Sequence, residues 1–567
     1  MSTNAPTTPA PGSDDQAPVQ MDKKVVYLIF GSLVAAMFLS SLDQSVVGTA
    51  LPTIVGDLNA VSHEGWIVTS YLVAIAIVMP VYGKVGDLFG RRWPFLIAIA
   101  IFLCGSLGSA LSTSFAELVI FRSLQGLGAG GLMILSQAII ADITSARDRG
   151  KYMGPMGAIF GVAAVLGPLL GGWFAQGPGW RWCFWLNVPV ALTALIISFF
   201  ALKLPMKHVK KKFDFLGTLF LALATTGIVL VTSWTSIVSG GKYDWSNPWL
   251  LGLLIGSIVS LILFIVVELK VEEPLIPLRL FKDSVFSVSV AVAFVVGMTM
   301  FAALAYLPTF LQMARDVDPT DSGLLMLPMT IGLMITAVGS GLMITKTGKY
   351  RIYPILGMAV TAVGIGWMTQ ITANMSMILF GAMIFVLGFG MGLVIQTIVI
   401  AVQNAVSPSE VGTATSTNNF LREIGAAVGT SVFGTVFTSK LTEKLTDIKS
   451  DFPSAGASVD DAAGLTPDKV GALKDVDPEA YNAIVDAYAS AMAPSFWYLL
   501  PVAIIGFVLS LFLRDRTLST TSGFEAQSQA EQTAAAKAAV SAVDGVDDPM
   551  SELDDDRDDE VGAGTPV

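Results

Sequence analysis

The sequence predicts an all-α polytopic membrane protein with two six-helix halves and two inserted central helices. Its 567 residues are 53% hydrophobic and 14% charged, with a mean hydropathy of +0.68, which leaves too little polar surface for a soluble globule of this size. Nearly all of residues 25–513 divides into apolar segments of about 20 residues, the length that spans a bilayer. In addition, the connection GKVGDLFGRR, residues 83–92, returns in degenerate form later in the chain.

Fourteen membrane helices are predicted in order along the chain. The first half, residues 25–202, holds segments 25–51, 63–83, 93–112, 116–141, 151–175 and 183–202. The inserted pair with its linkers, residues 203–283, holds segments 215–238 and 247–268. The second half, residues 284–513, holds segments 285–311, 322–345, 352–371, 376–402, 411–437 and 494–513.

Three polar segments flank or interrupt these helices. Residues 1–24 predict a disordered cytoplasmic N-terminus, residues 438–493 an extracytoplasmic loop, and residues 514–567 a disordered acidic cytoplasmic tail. After Thr521 the tail has twelve acids against Lys537 and Arg557, so it accounts for nearly all of the net charge of -11. Such a segment is typical of solvated chain, and a docking tail is the alternative.

The basic residues predict how the helices are oriented. Twenty-one lysines and arginines fall in connections on one side and at the flanks of the first and last helix, whereas the short opposite loops hold only Arg181, Lys242 and Arg315. Basic residues concentrate in cytoplasmic loops, so both termini are predicted to be cytoplasmic, which requires an even number of spans.

An internal repeat predicts two related halves. Residues 341–351, GLMITKTGKYR, repeat the 83–92 connection at a spacing of 258, with Gly341 for Gly83 and Gly348 for Gly90. Thr345 stands where Asp87 would be. A second repeat, shifted by 262, sets Glu410, Gly412, Gly429 and Gly434 against Asp148, Gly150, Gly167 and Gly172. Repeated halves with a site at their interface are a hallmark of secondary transporters.

Six motifs in order resemble the major facilitator superfamily, and specifically its fourteen-helix drug:proton antiporters of the EmrB/QacA type. They are LDQSVVGTALPTI at 42–54, GKVGDLFGRR at 83–92, RSLQGLGAGG at 122–131, GPMGAIFGVAAVLGPLLGGW at 154–173, WRWCFWLNVP at 180–189 and YLPTFLQ at 306–312. The resemblance covers the whole membrane region. It implies a monomer in the cell membrane that exchanges a small-molecule substrate for protons, with lipids around it and no cofactor beyond the proton gradient.

Asp43 and Arg122 are the first candidates for proton coupling. Asp43 lies about eight residues before the outer end of the first helix, and Arg122 about seven residues into a helix that descends from the same side, so both lie roughly 11 to 12 Å deep. An ionisable group at that depth is costly alone and marks a functional site by default. We expect Asp43 to carry the proton and Arg122 to tune it; the alternative is a fixed ion pair that only joins two helices.

Arg422 and Glu423 are adjacent near the middle of the segment 411–437. Neighbours in a helix point about 100° apart, so the two are not expected to face the same partner. The arginine resembles a family feature, whereas Glu423 stands where the family pattern has an amide. Glu423 is therefore either a second protonation site or an acid used in helix packing.

The 83–92 connection is the candidate cytoplasmic gate. Asp87 and Arg91 are four residues apart and can pair along one helical turn. The resemblance implies a larger role, in which Gly83, Asp87, Gly90, Arg91 and Arg92, together with Asp142, lock the cytoplasmic side when the protein opens outward. The alternative is a signal that only sets membrane topology.

The fifth predicted helix is rich in small residues, which let a facing helix approach its backbone. Its candidate residues are Gly157, Gly161, Gly167, Pro168, Gly171 and Gly172. The resemblance implies both close helix packing and a seal or hinge between the halves.

Polar or aromatic residues of the central helices are the candidates for substrate binding. They are Gln44, Asn187, Tyr306, Gln312, Gln396 and Arg422.

The favoured function is proton-coupled efflux of amphipathic drugs, and the alternative cargo is an endogenous metabolite, siderophore or lipid. An enzyme is disfavoured because His63 and His208 are the only histidines and no nucleophile constellation appears. No GxxxxGK[ST] phosphate loop supports an ATP-driven pump, no pattern suggests nucleic-acid binding, and a channel would not explain two repeated halves with a central acid.

Overall fold

The computed structural model describes residues 23–58, 60, 63–202, 212–238, 246–315, 317, 319–451, 474 and 477–520. The regular secondary structure in this part of the chain is helical. The first half contains α1 (Lys23–Asp57), α2 (Gly65–Phe89), α3 (Arg92–Leu111), α4 (Phe115–Ile143), α5 (Arg149–Gln176), α6 (Trp182–Trp185) and α7 (Asn187–Ala201).

The remaining helices follow the predicted order. The inserted part contains α8 (Phe215–Thr232), α9 (Trp234–Ile237) and α10 (Pro248–Glu268). The second half contains α11 (Ser284–Arg315), α12 (Pro319–Leu325), α13 (Leu327–Thr347), α14 (Ile352–Met368), α15 (Met377–Ala405), α16 (Val411–Asp451) and α17 (Pro478–Leu511). Short 3₁₀ turns cover Leu278–Lys282 and Pro408–Glu410.

The helices confirm the predicted fold class. Within the described residues, twelve helices are long and apolar enough to cross a membrane. The apolar helix α14 has 17 residues and is slightly shorter, and α16 carries too many Thr, Asn and charged residues to be among the twelve. A helix is present at each of the fourteen predicted segments, although the number of spans stays a prediction.

Helices also occupy both ends of the segment 438–493, which was predicted as a loop. α16 continues to Asp451, and α17 begins at Pro478. Lys440 and Glu443 pair on the surface of α16 at 2.9 Å, and Asp477 accepts a hydrogen bond from the Ala480 backbone at 3.1 Å. Local ion pairs and caps of this kind extend a helix beyond its apolar residues. The hydropathy pattern places a helix boundary where the apolar residues end, so the predicted loop included these polar helical turns.

The second half has one apolar core, whereas the core of the first half also takes in Leu221 and Phe264 of the inserted helices and Val399 of the second half. Ile75 and Phe102 belong to the first core, and Leu307 and Phe433 to the second. α8 contacts α2, and α10 packs on α8. Much of α10 leaves large apolar side chains exposed, including Trp249, as expected for a helix that faces lipid.

The halves meet through the glycines of the internal repeat. A Cβ atom built on Gly83 of α2 would lie 2.7 Å from the Gly412 carbonyl oxygen of α16. A Cβ atom built on Gly150 of α5 would lie 3.1 Å from the Gly341 carbonyl carbon of α13. The first repeat thus supplies Gly83 and Gly341, and the second supplies Gly150 and Gly412. Each crossing pairs one helix from the first repeat with one from the second. We call the end of the bundle that holds these crossings and the 83–92 connection the basic face.

The start of the predicted disordered tail is held on the basic face. Residues 512–520 follow α17 without helical structure, and Leu513 is buried. Tyr350 donates a hydrogen bond to the Arg514 carbonyl at 3.0 Å, and the Arg147 backbone donates to the Ser519 carbonyl at 3.1 Å. The expectation of disorder is therefore corrected for residues 514–520, because they satisfy polar groups of both halves; residues 521–567 lie outside the described part.

Candidate functional site

A buried polar cluster surrounds Asp43 in the first half. Arg122 of α4 pairs with the Asp43 carboxylate through Nη1, and each side chain is at most 1% exposed. Gln125 Nε2 and Asn187 Nδ2 each donate to Asp43 Oδ1 at 2.8 Å. The carboxylate thus accepts hydrogen bonds from three side chains on α4 and α7. Such a donor set matches an ionised carboxylate.

Aromatic rings and a backbone carbonyl complete the surroundings of this pair. The Arg122 guanidinium lies 4.0 Å from the ring centroid of Tyr71, whose hydroxyl donates to the Ser40 carbonyl at 3.0 Å. The Phe184 ring lies 5.8 Å from the guanidinium. Adding a proton to Asp43 would turn one acceptor oxygen into a donor, so at least one of its bonds to α4 or α7 would have to change.

The sequence predicted the depth of this pair but not its partners. Gln125 and Ser106 were not among the candidates, and Asn187 was a candidate for substrate binding. In the structure Asn187 Nδ2 instead bonds Asp43 and also Ser106 Oγ, the latter at 3.1 Å. Gln125 was detectable in principle, since it lies three residues after Arg122 on the same helix face.

Asp87 joins the two halves at the basic face. Its Oδ1 accepts from the Gly412 backbone at 3.0 Å, and its Oδ2 from the Thr413 backbone at 2.7 Å. Gly412 and Thr413 form the first turn of α16, whose unpaired N–H groups and helix dipole favour an anion. Asp87 therefore caps a helix of the opposite half.

Arg91 holds Asp87 in place from within the first half. Its Nη2 donates to Asp87 Oδ1 at 3.1 Å, its Nε pairs with Asp142 Oδ2 at 3.1 Å, and Nη1 donates to the Ala138 carbonyl. Gly90 ends α2 with a φ of 84°, a conformation that favours glycine. Arg92 points elsewhere and bonds the Phe199 carbonyl at 3.0 Å, so it stands apart from the Asp87 cluster.

In the described structure, the connection 341–351, which repeats the 83–92 connection, has no carboxylate at the position of Asp87 to cap a helix of the other half. Thr345, at the position that corresponds to Asp87, bonds the Gly341 carbonyl of its own helix at 3.1 Å. Here Arg147 of the first half donates to the Thr345 and Lys346 carbonyls at 3.1 and 3.0 Å. Gly348 has a φ of 70°, as its predicted equivalence with Gly90 requires. Both crossings are formed by a pair of closely spaced glycines, and they differ in the polar contacts beside them.

The small residues of α5 face two directions. Near the basic face, Cβ atoms built on Gly154, Gly157 and Gly161 would meet Ala337, Gln396 and Thr330 of the second half at 2.5 to 2.9 Å. Further along, Gly167 and Gly171 face α1 of the same half, at Ser45 and Val46. Gly172 is buried, and Pro168 contacts Gly323 of α12.

Arg422 and Glu423 contact each other despite the expected divergence. Arg422 Nη2 donates to Glu423 Oε1 at 3.3 Å and to Met133 Sδ of α4 at 3.6 Å. The long guanidinium side chain turns back toward its neighbour, which residue spacing alone does not show. The guanidinium also lies 5.3 Å from the Phe160 ring centroid, so it sits at the boundary between the halves.

The other candidates for substrate binding are dispersed. Gln396 is 1% exposed beside Gly157, Gln312 Nε2 donates to Ser322 Oγ at 3.1 Å, and Gln44 is half-buried on α1. The ring centroids of Tyr306 and Phe433 lie 4.9 Å apart. The structure does not bring these residues together in one site.

A further polar contact between the halves was absent from the sequence candidates. Asn419 Nδ2 of α16 donates to Gln137 Oε1 of α4 at 2.9 Å, and Gln403 Nε2 of α15 donates to Thr415 Oγ1 at 3.0 Å and to the Gln137 carbonyl at 3.5 Å. These amides are ordinary polar residues in sequence, and only the packing of the halves makes them partners.

Known proteins resemble this chain over most of its length. The family model described as Major Facilitator Superfamily matches residues 33–430. An uncharacterized MFS-type transporter of Mycobacterium tuberculosis is 38% identical over 519 residues, which are 91% of this chain and 73% of that protein. Multidrug resistance protein 3 of Bacillus subtilis is 32% identical over 499 residues, 87% of this chain and 96% of that protein.

A solved structure resembles the fold. The human organic anion transporter MFSD10 has a TM-score of 0.56 at 15% sequence identity, with 85% of this chain and 99% of that chain covered. At this identity the similarity describes the fold alone.

Proposed function

Because this chain belongs to the Major Facilitator Superfamily, we propose that it is a proton-coupled multidrug efflux transporter that exports amphipathic small molecules by alternating access. It is a multi-pass membrane transporter whose relatives include proteins named as efflux pumps, and not an enzyme. The observation that carries the proton-coupled part is the fully buried pair of Asp43 and Arg122. A buried carboxylate held by donors on other helices can link a change of protonation to helix movement.

We place the basic face in the cytoplasm and the protein in the cell membrane, as a monomer with both termini cytoplasmic. The concentration of lysine and arginine in that set of connections supports this orientation. The α2–α16 and α5–α13 crossings then close the cytoplasmic side in this structure. Export would require these crossings to separate, so that cargo enters from the cytoplasm, and to close again before release.

The proton step follows from the Asp43 cluster. In its ionised form Asp43 ties α1 to α4 through Arg122 and Gln125, and to α7 through Asn187. Protonation removes the charge attraction to Arg122 and one acceptor site, and so loosens α1 from its neighbours. The proton gradient supplies the energy, and the chain needs no cofactor for this step.

The proposal predicts gradient-driven flux of organic molecules. Purified protein in liposomes with an imposed proton gradient should move dyes or drugs from the side of the basic face to the opposite side. The flux should collapse when an ionophore dissipates the gradient. A panel of cationic and neutral dyes, metabolites, siderophores and lipids identifies the cargo, while protein-free liposomes correct for passive leak. Flux that does not depend on the gradient would rule out proton coupling.

We further propose Glu423 as a second protonation site. Its carboxylate is 13% exposed at the boundary between the halves, and its partner Arg422 also contacts the first half. Glu423→Gln should then lower the number of protons exchanged per cargo molecule by about one. Reversal-potential measurements in liposomes give this ratio. An unchanged ratio with normal flux would assign Glu423 to helix packing, and Lys440→Gln at an exposed position of α16 is the control.

A further inference from the structure

The chain that follows α17 crosses the basic face as a short strap, residues 513–519. The strap has no regular secondary structure, so its backbone polar groups find their partners in the rest of the molecule or in water. Two of its carbonyl groups accept hydrogen bonds from protein groups, one from each half. The strap therefore touches both halves at the end of the bundle where they cross.

The second half holds the first part of the strap. Tyr350 donates a hydrogen bond to the Arg514 carbonyl at 3.0 Å. Arg516 Nη2 donates to Asp283 Oδ2 at 2.5 Å, beside the start of α11, and its Nη1 donates to the Ala405 carbonyl at the end of α15 at 3.4 Å. Because α17 belongs to the same half, we expect this part of the strap to stay with the second half when the halves separate.

The end of the strap contacts the first half. The Arg147 backbone, between α4 and α5, donates to the Ser519 carbonyl at 3.1 Å. Leu513 is 1% exposed and belongs to the core of the first half, which extends to Tyr350 of the second, and Leu518 is partly buried against this core. One hydrogen bond thus reaches the first half directly, and two apolar side chains pack on a core that both halves share.

The contact with Arg147 places the strap beside the α5–α13 crossing. The Arg147 side chain donates to the Thr345 and Lys346 carbonyls, at the end of α13, at 3.1 and 3.0 Å. The backbone of one residue therefore holds the strap while its side chain holds α13. Arg147 lies two residues before α5, so a movement of α5 away from α13 would break both sets of contacts.

The two crossings between the halves are supported in different ways. At the α2–α16 crossing, the Asp87 carboxylate accepts two backbone hydrogen bonds from the first turn of α16. At the α5–α13 crossing, the equivalent position holds Thr345, and Arg147 bonds uncharged carbonyl groups instead. The strap adds its contacts to this second crossing, on the same arginine. It thus lies where the carboxylate cap is missing.

We propose that the strap is a latch that stabilises the closed cytoplasmic side. Its contacts with Arg147 and the apolar seat of Leu518 exist while the halves are together, and they must be lost before the α5–α13 crossing separates. The docked strap therefore favours the closed state, and a strap that cannot dock lets the cytoplasmic side open more readily. This inference rests on the alternating-access movement proposed above and adds a regulatory element to it.

Spin labels across the α5–α13 crossing test the latch in the full-length protein. Labels at the exposed positions Lys151, at the start of α5, and Lys349, just after α13, are placed in a Cys104→Ala background. Distances are measured in nanodiscs without cargo or a proton gradient. They are measured with Asp87 present and also in Asp87→Ala, where the loss of the carboxylate cap should populate the open state enough for a further shift to be visible.

Leu518→Ser removes the apolar seat of the strap and leaves the rest of the tail in place. We expect the ratio of closed to open protein to fall by about 3- to 10-fold, because part of the burial of one leucine side chain is lost. Thr517→Ser introduces the same residue at the exposed neighbouring position and should leave the distances unchanged. Unchanged distances in Leu518→Ser in both backgrounds, or an equal shift in Thr517→Ser, would overturn the proposal.

Block replacements separate the strap from the acidic tail. Glycine and serine in place of residues 517–520 should lower the closed-to-open ratio by about 10-fold or more, because the undocked strap gains conformational freedom and loses its leucine. The same replacement of residues 521–524 is the matched control and should have no effect. This pair also decides the question if Leu518→Ser does not fold. Equal shifts in the two blocks would assign the effect to the tail and contradict the latch.

The outcome is separable from that of the transport proposal. The distances are measured at equilibrium, whereas proton coupling is measured as flux in liposomes. A shift in the strap variants without gradient-driven flux would keep the latch and remove proton-coupled export. Gradient-driven flux together with unchanged distances in the folded strap variants would keep export and remove the latch.

Discussion

Asp43→Asn is expected to abolish proton-driven flux. Asparagine keeps the size of the side chain but carries neither the charge nor the titrating proton. It also leaves Arg122 buried without its counter-ion, and breaking a buried ion pair from one side costs about 3 to 5 kcal/mol of stability. We therefore expect flux at the level of protein-free liposomes together with a lower melting temperature, measured in the same preparation.

A double variant separates the proton role from a fixed ion pair. Asp43→Asn combined with Arg122→Gln removes both charges and relieves the unpaired guanidinium. If Asp43 carries the proton, the double variant should regain much of the melting temperature while proton-driven flux stays absent. Recovery of flux along with stability would show that the pair only joins α1 and α4.

Asp87→Ala is expected to open the basic face. The change removes two hydrogen bonds that the backbone of the first turn of α16 donates to the carboxylate, at 3.0 and 2.7 Å, and leaves Arg91 without one of its acid partners. Hydrogen bonds to a charged group contribute about 1.5 to 3 kcal/mol each, so the equilibrium should shift from the closed state by roughly 100-fold or more.

Spin labels report this shift directly. Labels are placed, in a Cys104→Ala background, at the exposed positions Trp93, which follows the 83–92 connection at the start of α3, and Ser409, which precedes α16, so they report the distance between the two halves. The distance distribution should move to longer values in Asp87→Ala, and transport should fall. Glu410→Ala is the matched control, because Glu410 lies at the same helix end but pairs at 2.6 Å with Arg279 of the inserted part and not with the first half. An unchanged distance distribution in Asp87→Ala would mean that the 83–92 connection only sets the membrane topology.

The sequence allowed a good prediction of the fold and a partial prediction of the candidate site. Hydropathy placed each helix, and counting residues from the helix ends placed Asp43 and Arg122 at the same depth, because helix rise is regular. The repeat predicted that Gly83 and Gly341 occupy equivalent positions, and both line crossings between the halves. By contrast, the hydrogen bond from Asn187 to Asp43 was not predicted, since the two residues lie 144 positions apart in sequence.

Positions that depend on contacts between the halves were not predictable in this way. Asp87 and Gly412 are 325 residues apart, and nothing local identifies the first turn of α16 as the partner of that carboxylate. The same holds for Gln137 and Asn419, and for the tail residues that lie across the basic face. Arg92 follows Arg91 in the same motif, yet it bonds the Phe199 carbonyl, because successive residues at the start of α3 point in different directions.

By itself the sequence determined that this chain is a helical membrane protein with two repeated halves and a buried acid and base at matching depth. Apolar length, charge asymmetry, the internal repeat and the regular rise of a helix suffice for that, because each can be measured along the chain without knowing which helices touch. The tertiary structure decided which groups satisfy Asp43, which helix end Asp87 caps, and which side chains Arg422 contacts. Those outcomes depend on how helices far apart in sequence pack, within the first half for Asp43 and between the halves for Asp87, because a buried polar group can bond only the partners that packing brings to it.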